Sequence, residues 1–305
     1  MAQSEQATAQ ERLMDPKVLQ QLGSLRLRAR AVVEGAISGL HRSALKGASV
    51  EFTEYKEYTP GDEIRHIDWR SFARTDRYFV KQFEDETNLR AFFMLDVSGS
   101  MRFQFEETIL KGDYAANLVA SLAYLFVRQG DAVGLLTFAD EPKTFLPASA
   151  KRSHLEDLFR VIESTSGGQV GEGTDLTSAL SRMAERAPRR SLVFLVSDML
   201  DTSSSALRMA KVLRQRKNEV VVFHILDPAE LSLPYEGLTL FQGLEEDGEL
   251  LVDPDDIRER FQEELERHLT FLEKECRGSN IDYRRVLTTE PLDRVLLDFI
   301  HSRGG

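Results

Sequence analysis

Apolar residues along this chain fall into two rhythms. The first is a set of short unbroken runs: AFFMLD at 91–96, DAVGLLTF at 131–138, SLVFLVS at 191–197 and EVVVFHIL at 219–226. Runs of this length, rich in Val, Leu and Phe, predict strands buried on both faces. A short strand at 143–146 is expected to pair as a hairpin with the second run, and a last strand is expected near 281–287. The second rhythm is helical. It predicts helices over 106–129, with Ile109, Leu110, Leu118, Leu122 and Leu125 on the apolar side, and over 151–163, 175–186, 203–217 and 291–301. Asp253-Pro254 opens a long helix, Asp as its cap and Pro in its first turn. The stripe of that helix is Ile257, Phe261, Leu265, Leu269, Leu272 and Cys276. Residues 237–252 predict a hairpin closing near Glu246-Asp247-Gly248. Alternation of strands and helices predicts an α/β domain over 89–305: a doubly wound, mainly parallel sheet with helices on both faces.

The first 88 residues are patterned differently. Residues 1–15 are polar and are expected to form a mobile tail. Residues 16–88 form an N-terminal extension. In it, residues 16–40 carry apolar positions at helical spacing, as one helix or two. Strands are expected over 49–59 and 77–84, separated by the turn signal Pro60-Gly61-Asp62.

Charge and cysteine usage narrow the partners. The net charge of −11 disfavours nucleic-acid binding by bulk electrostatics. Cys276 is the single cysteine, which excludes an intramolecular disulfide and fits a cytoplasmic setting. The first fifteen residues lack the apolar core of a signal peptide, and no run is long enough to span a bilayer.

Candidate chemistry sits where the first buried strand ends, in the sequence Asp96-Val-Ser98-Gly-Ser100. Ligands of open α/β sheets bind outside the carboxyl ends of the strands. One carboxylate and two hydroxyls on a short loop make an oxygen-only site suited to Mg²⁺, with Mn²⁺ as an alternative, rather than Zn²⁺. Ser and Asp are equally good helix caps and turn formers, so capping is the competing explanation of this loop. Two further residues favour the metal: Thr174, in the Gly-rich stretch GGQVGEGTDL, and Asp198, at the end of another buried strand. This pattern resembles the metal-ion-dependent adhesion site of von Willebrand factor A domains. The resemblance implies that Ser98, Ser100 and Thr174 bind Mg²⁺ directly or through water. Asp96 and Asp198 would anchor its water shell, and a partner's carboxylate would fill an open position.

Just upstream, YKEYTPGDEIRHIDWRSFAR at 55–74 concentrates Tyr58, Pro60, Gly61, Asp62, Arg65, Asp68, Trp69 and Arg74. With the loop above, this signature resembles a bacterial family, domain of unknown function 58, over most of residues 25–302. The resemblance implies a von Willebrand A-like domain and a partnership with a MoxR-type AAA+ ATPase or its client. Read as chemistry, Trp69 is expected to pack against a sheet edge, and the charged residues of the segment to form a network that either fixes it or binds directly. GGQVGEG lacks the Gly-Lys-Ser/Thr ending of a phosphate loop. His41, His66, His154, His224, His268 and His301 lie outside the proposed loops in sequence, with no evident nucleophile partner. The leading expectation is therefore a non-enzymatic, Mg²⁺-dependent protein-binding module. A Mg²⁺-dependent hydrolase such as a phosphatase, or a domain whose metal only stiffens loops, are the alternatives.

Overall fold

A computed structural model describes residues 15–44, 56–57, 79–80, 89–165, 173–200, 204–245 and 248–303. In chain order the elements are α1 (Pro16–Gln20), α2 (Leu25–Ala44), β1 (Lys56–Glu57), β2 (Phe79–Val80), β3 (Arg90–Asp96), α3 (Lys111–Arg128), β4 (Ala132–Phe138) and β5 (Pro142–Ser149). They continue with α4 (Arg152–Thr165), α5 (Leu176–Arg186), β6 (Leu192–Ser197), α6 (Ser204–Gln215), β7 (Glu219–Leu226) and α7 (Pro228–Ser232). The last are β8 (Thr239–Gln242), β9 (Glu249–Val252), α8 (Pro254–Gly278), β10 (Asp282–Leu287) and α9 (Leu292–His301). Residues 38–88 group as a separate compact unit, in which β1 and β2 pair antiparallel. The signature residues from Tyr58 to Arg74, Trp69 included, lie outside the described residues, as do 1–14.

The main sheet has the order β10-β7-β6-β3-β4-β5, parallel except for the edge strand β5. From β3 the chain builds outward through β4 to β5, then returns to the other side of β3 as β6. The winding therefore reverses between β3 and β6, and their carboxyl ends flank the crevice that such a switch point opens.

Side chains alternate across each buried strand. Phe93, Leu95, Phe194, Val196, Phe223 and Ile225 face a core shared with α1–α4 and α9. Phe92, Met94, Val193, Leu195, Val220 and Val222 face a second core with α5, α6 and α8. Phe93 stacks on its register partner Phe194 at 4.9 Å, and Phe299 meets Phe194 edge-on at 5.4 Å. Both faces are thus covered, as the unbroken apolar runs require.

Residues 16–40, expected as one helix or two, form two. Two other features differ from expectation. The helix expected from 106 begins at Lys111, because Thr108 closes a separate turn: its hydroxyl accepts from Phe105 N at 3.0 Å and donates to Phe105 O at 2.8 Å. On α8 only Leu269, Leu272 and Cys276 of the expected stripe are fully buried, while Ile257, Phe261 and Leu265 are half-buried. Among the described residues no helix is long and apolar enough to cross a membrane.

Candidate metal centre

Asp96 is the last residue of β3, buried to 1% exposure. Its Oδ1 accepts from Ser98 N at 3.0 Å, which folds the chain back over the strand end, and Val97 N ties the turn to Phe138 O of β4 at 2.8 Å. A single 3₁₀ turn, Gly99–Arg102, follows. Ser98 stands at its cap position, yet its side chain makes no capping hydrogen bond. The Ser98 and Ser100 hydroxyls instead meet each other at 3.1 Å. Ser98 therefore does not cap this turn, whereas Asp96 does act as a turn former, as the competing explanation has it.

Thr174 reaches the same place from another direction. Asp175 caps α5 by accepting from Ser178 N at 2.9 Å, while Asp175 N donates to Ala139 O at 2.8 Å. These bonds pin the residue after Thr174 between α5 and the β4–β5 hairpin. At the tip of that hairpin the exposed Asp140 pairs with the half-buried Lys143 at 2.8 Å. The Thr174 hydroxyl donates to Glu245 Oε1 at 3.1 Å, and Ser100 N donates to the same oxygen at 3.4 Å. Asp198 follows β6, fully buried. Its Oδ2 accepts from Lys111 Nζ at 2.8 Å, and its Oδ1 is buried without a hydrogen-bond partner. Asp96, Ser98 and Ser100 are thus joined directly, Thr174 is joined to them through Glu245, and Asp198 lies close enough for its charge to act on Asp96.

The model of a protein of unknown function, DUF58, matches residues 54–270. The chain belongs to the DUF58 family. The matched span contains every residue of the site just described. An uncharacterised protein of Mycobacterium tuberculosis is 26% identical over 291 residues, 95% of this chain and 90% of that protein. The uncharacterised YeaD of Bacillus subtilis is 26% identical over 105 residues, 34% of this chain and 24% of that protein. Among solved structures, the chain is similar to the conserved hypothetical protein BatB of Bacteroides thetaiotaomicron (TM-score 0.49, 18% identity, 71% of this chain and 98% of that one). It is also similar to an aerotolerance-related membrane protein of Bacteroides fragilis (TM-score 0.47, 20% identity, 70% and 99%).

In this DUF58 chain the electrostatics of the site are those of crowded carboxylates. Burial, and after it the charge on Asp198, pushes the Asp96 carboxyl up to about 7, against the hydrogen bonds from Ser197 and Ser98. Burial acts on Asp198 too, but the Lys111 ammonium outweighs it and holds that carboxyl below its ordinary value. Lys111 also pairs with Glu230 at 2.7 Å and is itself 1% exposed. Two carboxylates, Asp198 and Glu230, share the Lys111 ammonium. The gathered oxygens, carboxylate and hydroxyl, are donors for a hard cation. Among the described residues no three His, Cys, Asp or Glu side chains converge as metal ligands, so the hydroxyls would have to carry part of the coordination. The Asp198 Oδ1 without a partner, beside the Ser98 and Ser100 hydroxyls that bond each other, fits such an ion.

Four members of the site escape a reading of the sequence. Lys111 occupies the first turn of α3, where a cation opposes the helix dipole and where lysine is ordinarily solvated. Glu230 reads only as the third residue of a capping box, which it also completes by accepting from Asp227 N at 2.6 Å. Ser197, whose hydroxyl donates to Asp96 Oδ2 at 2.6 Å, is hidden at the end of an apolar run. Glu245 lies in a hairpin loop with no local signal. His224 also comes nearer than its sequence position suggests. It stands opposite Ser197 in the sheet, bonds Tyr283 Oη at 2.7 Å through Nδ1, and is held neutral, with its pKa lowered to about 4 chiefly by burial.

Proposed function

We propose that this chain is a non-enzymatic, Mg²⁺-dependent protein-binding module built on a von Willebrand factor A-like domain. Asp96, Ser98, Ser100, Thr174 and Asp198 form its metal-ion-dependent adhesion site, and Mn²⁺ is an alternative occupant. The observation that carries this reading is the convergence of two buried strand-end carboxylates and three hydroxyls on a switch-point crevice, with one buried carboxylate oxygen unpartnered. When bound, the ion supplies an electron-poor acceptor for a partner's carboxylate. The chain's own part is to hold the donors. The turn at Asp96–Ser98 presents two hydroxyls. The cap at Asp175 presents the third. Lys111 neutralises Asp198 without covering its second oxygen. The family resemblance directs the partner search to a MoxR-type AAA+ ATPase or its client.

Calorimetric titration with Mg²⁺ and Mn²⁺ tests the site, and capture by the purified ATPase with Mg²⁺ or with EDTA tests the partner. Wild type is expected to bind either ion weakly, and Asp96→Ala to bind neither. Ser98→Ala and Thr174→Ala are expected to keep the fold, because each removes a single hydroxyl from a loop, buried at Ser98 and half-buried at Thr174, and no apolar packing. Each should lose capture to the extent that EDTA does in wild type, with no further loss when combined with EDTA. Equal ion binding by wild type and Asp96→Ala would remove the assignment. Capture surviving both hydroxyl substitutions and EDTA would place docking elsewhere on the chain.

A further inference from the structure

Glu245 comes to the site from 145 residues beyond Ser100, in the loop that joins β8 to β9. Its Oε1 takes hydrogen bonds from both the Ser98–Ser100 turn and the Thr174 loop, at 3.4 and 3.1 Å. Its Oε2 lies over Gly173, where an added Cβ would stand 3.6 Å away. Glu245 is thus an acidic group received by two of the metal-site loops.

The hairpin that carries Glu245 has little else to hold it. Gly243 N donates to Gly248 O at 2.8 Å to close the loop, and Phe241 meets Tyr235 edge-on at 5.0 Å, with Tyr235 in turn against Phe105 at 5.2 Å. Leu240, Leu250 and Leu251 are each at least half exposed, so β8 and β9 bury few of their apolar side chains. A segment with this little burial opens at low free energy.

We infer that Glu245 is an internal ligand of the candidate metal site, filling in cis the position of a partner's carboxylate, and that the β8–β9 hairpin is a latch that an acidic partner displaces. The inference rests on the metal-site reading above and adds to it a residue and a regulated state. A tethered carboxylate competes at an effective concentration in the millimolar range or higher, so a partner must bring additional contacts to exchange with it. The site would then be closed to adventitious acidic groups and open to a partner that also engages the hairpin.

The test compares wild type, Glu245→Gln and Glu245→Ala in the full chain, with Mn²⁺ and with EDTA. Two readouts are used: hydrogen exchange of peptides covering 239–252 and 97–103, and water-proton relaxation per bound Mn²⁺. With Mn²⁺ bound, the hairpin of wild type is expected to exchange about tenfold more slowly than that of either variant, the factor that loss of charge-assisted hydrogen bonds implies. Relaxation per bound ion is expected to rise in Glu245→Ala, because water takes the vacated position. Mn²⁺ bound by all three proteins, with equal relaxation and equal hairpin exchange, would overturn the latch and leave the metal site standing. Absence of Mn²⁺ binding in wild type would overturn the metal-site reading and the ligand role with it. In that case the EDTA arm decides the latch: faster hairpin exchange in both variants than in wild type supports a metal-free tether, and unchanged exchange overturns it.

Discussion

At the scale of single residues, Lys111 is the side chain on which the site depends most. It is buried between Asp198 and Glu230, and although burial alone would lower its pKa, the two carboxylates raise it above its ordinary value. Phe103 lies under the ammonium at 5.6 Å from the ring centroid, adding a cation–π contact. A buried ion pair contributes little net stability compared with a well-packed apolar pair, but removing one partner leaves the others charged and desolvated. Lys111→Met should therefore destabilise the fold by about 3–5 kcal/mol at neutral pH, read from the urea midpoint. Part of the loss should be recovered on adding Mg²⁺, which would replace the missing positive charge. A midpoint unchanged from wild type would show that Asp198 and Glu230 find another partner.

At the scale of elements, the central strands β3, β4, β6 and β7 were legible because each is buried on both faces and so must be apolar throughout. The helices were legible where one stripe alone is buried. The site was legible in part for a related reason: Asp96 and Asp198 are the first polar chemistry after apolar runs, and they mark strand ends. What could not be read is what depends on three-dimensional return of the chain. Lys111 and Glu245 look like ordinary solvated residues, because the groups that meet them lie 87 and 145 residues away. The start of α3 was misplaced because Ile109 and Leu110 continue the helical spacing into the turn that Thr108 closes. Close packing between elements has its own test at Gly134 of β4. A Cβ there would stand 2.7 Å from the Phe92 ring and 2.9 Å from Leu146 O of β5. The ring can shift, but the backbone oxygen is held by the β4–β5 ladder, in which Leu135 pairs with Leu146. Gly134→Ala should destabilise the fold by about 1–3 kcal/mol, with the largest rise in hydrogen exchange at β5. A denaturation midpoint equal to that of wild type would show that the edge strand yields freely.

At the scale of the whole molecule, two electrostatic effects of a divalent cation must be separated. The chain carries a net charge of −11, so any salt relieves self-repulsion and stabilises the fold by screening. A bound ion acts differently: it stabilises the folded state in proportion to its occupancy of one site. At a free Mg²⁺ concentration ten times the dissociation constant, linkage gives about 1.4 kcal/mol, or roughly 3–6 °C in melting temperature for a domain of this size. Wild type should show that rise in MgCl₂ beyond the rise in NaCl of equal ionic strength, and EDTA should abolish it. Asp96→Ala should melt at the same temperature in the two salts, because it loses the carboxylate about which the Ser98 turn is folded while keeping nearly all of the molecule's negative charge. Stabilisation that follows ionic strength alone in both proteins would mean that the cation acts on the surface, and the crowded carboxylates at the switch point would then be held by Lys111 without an ion.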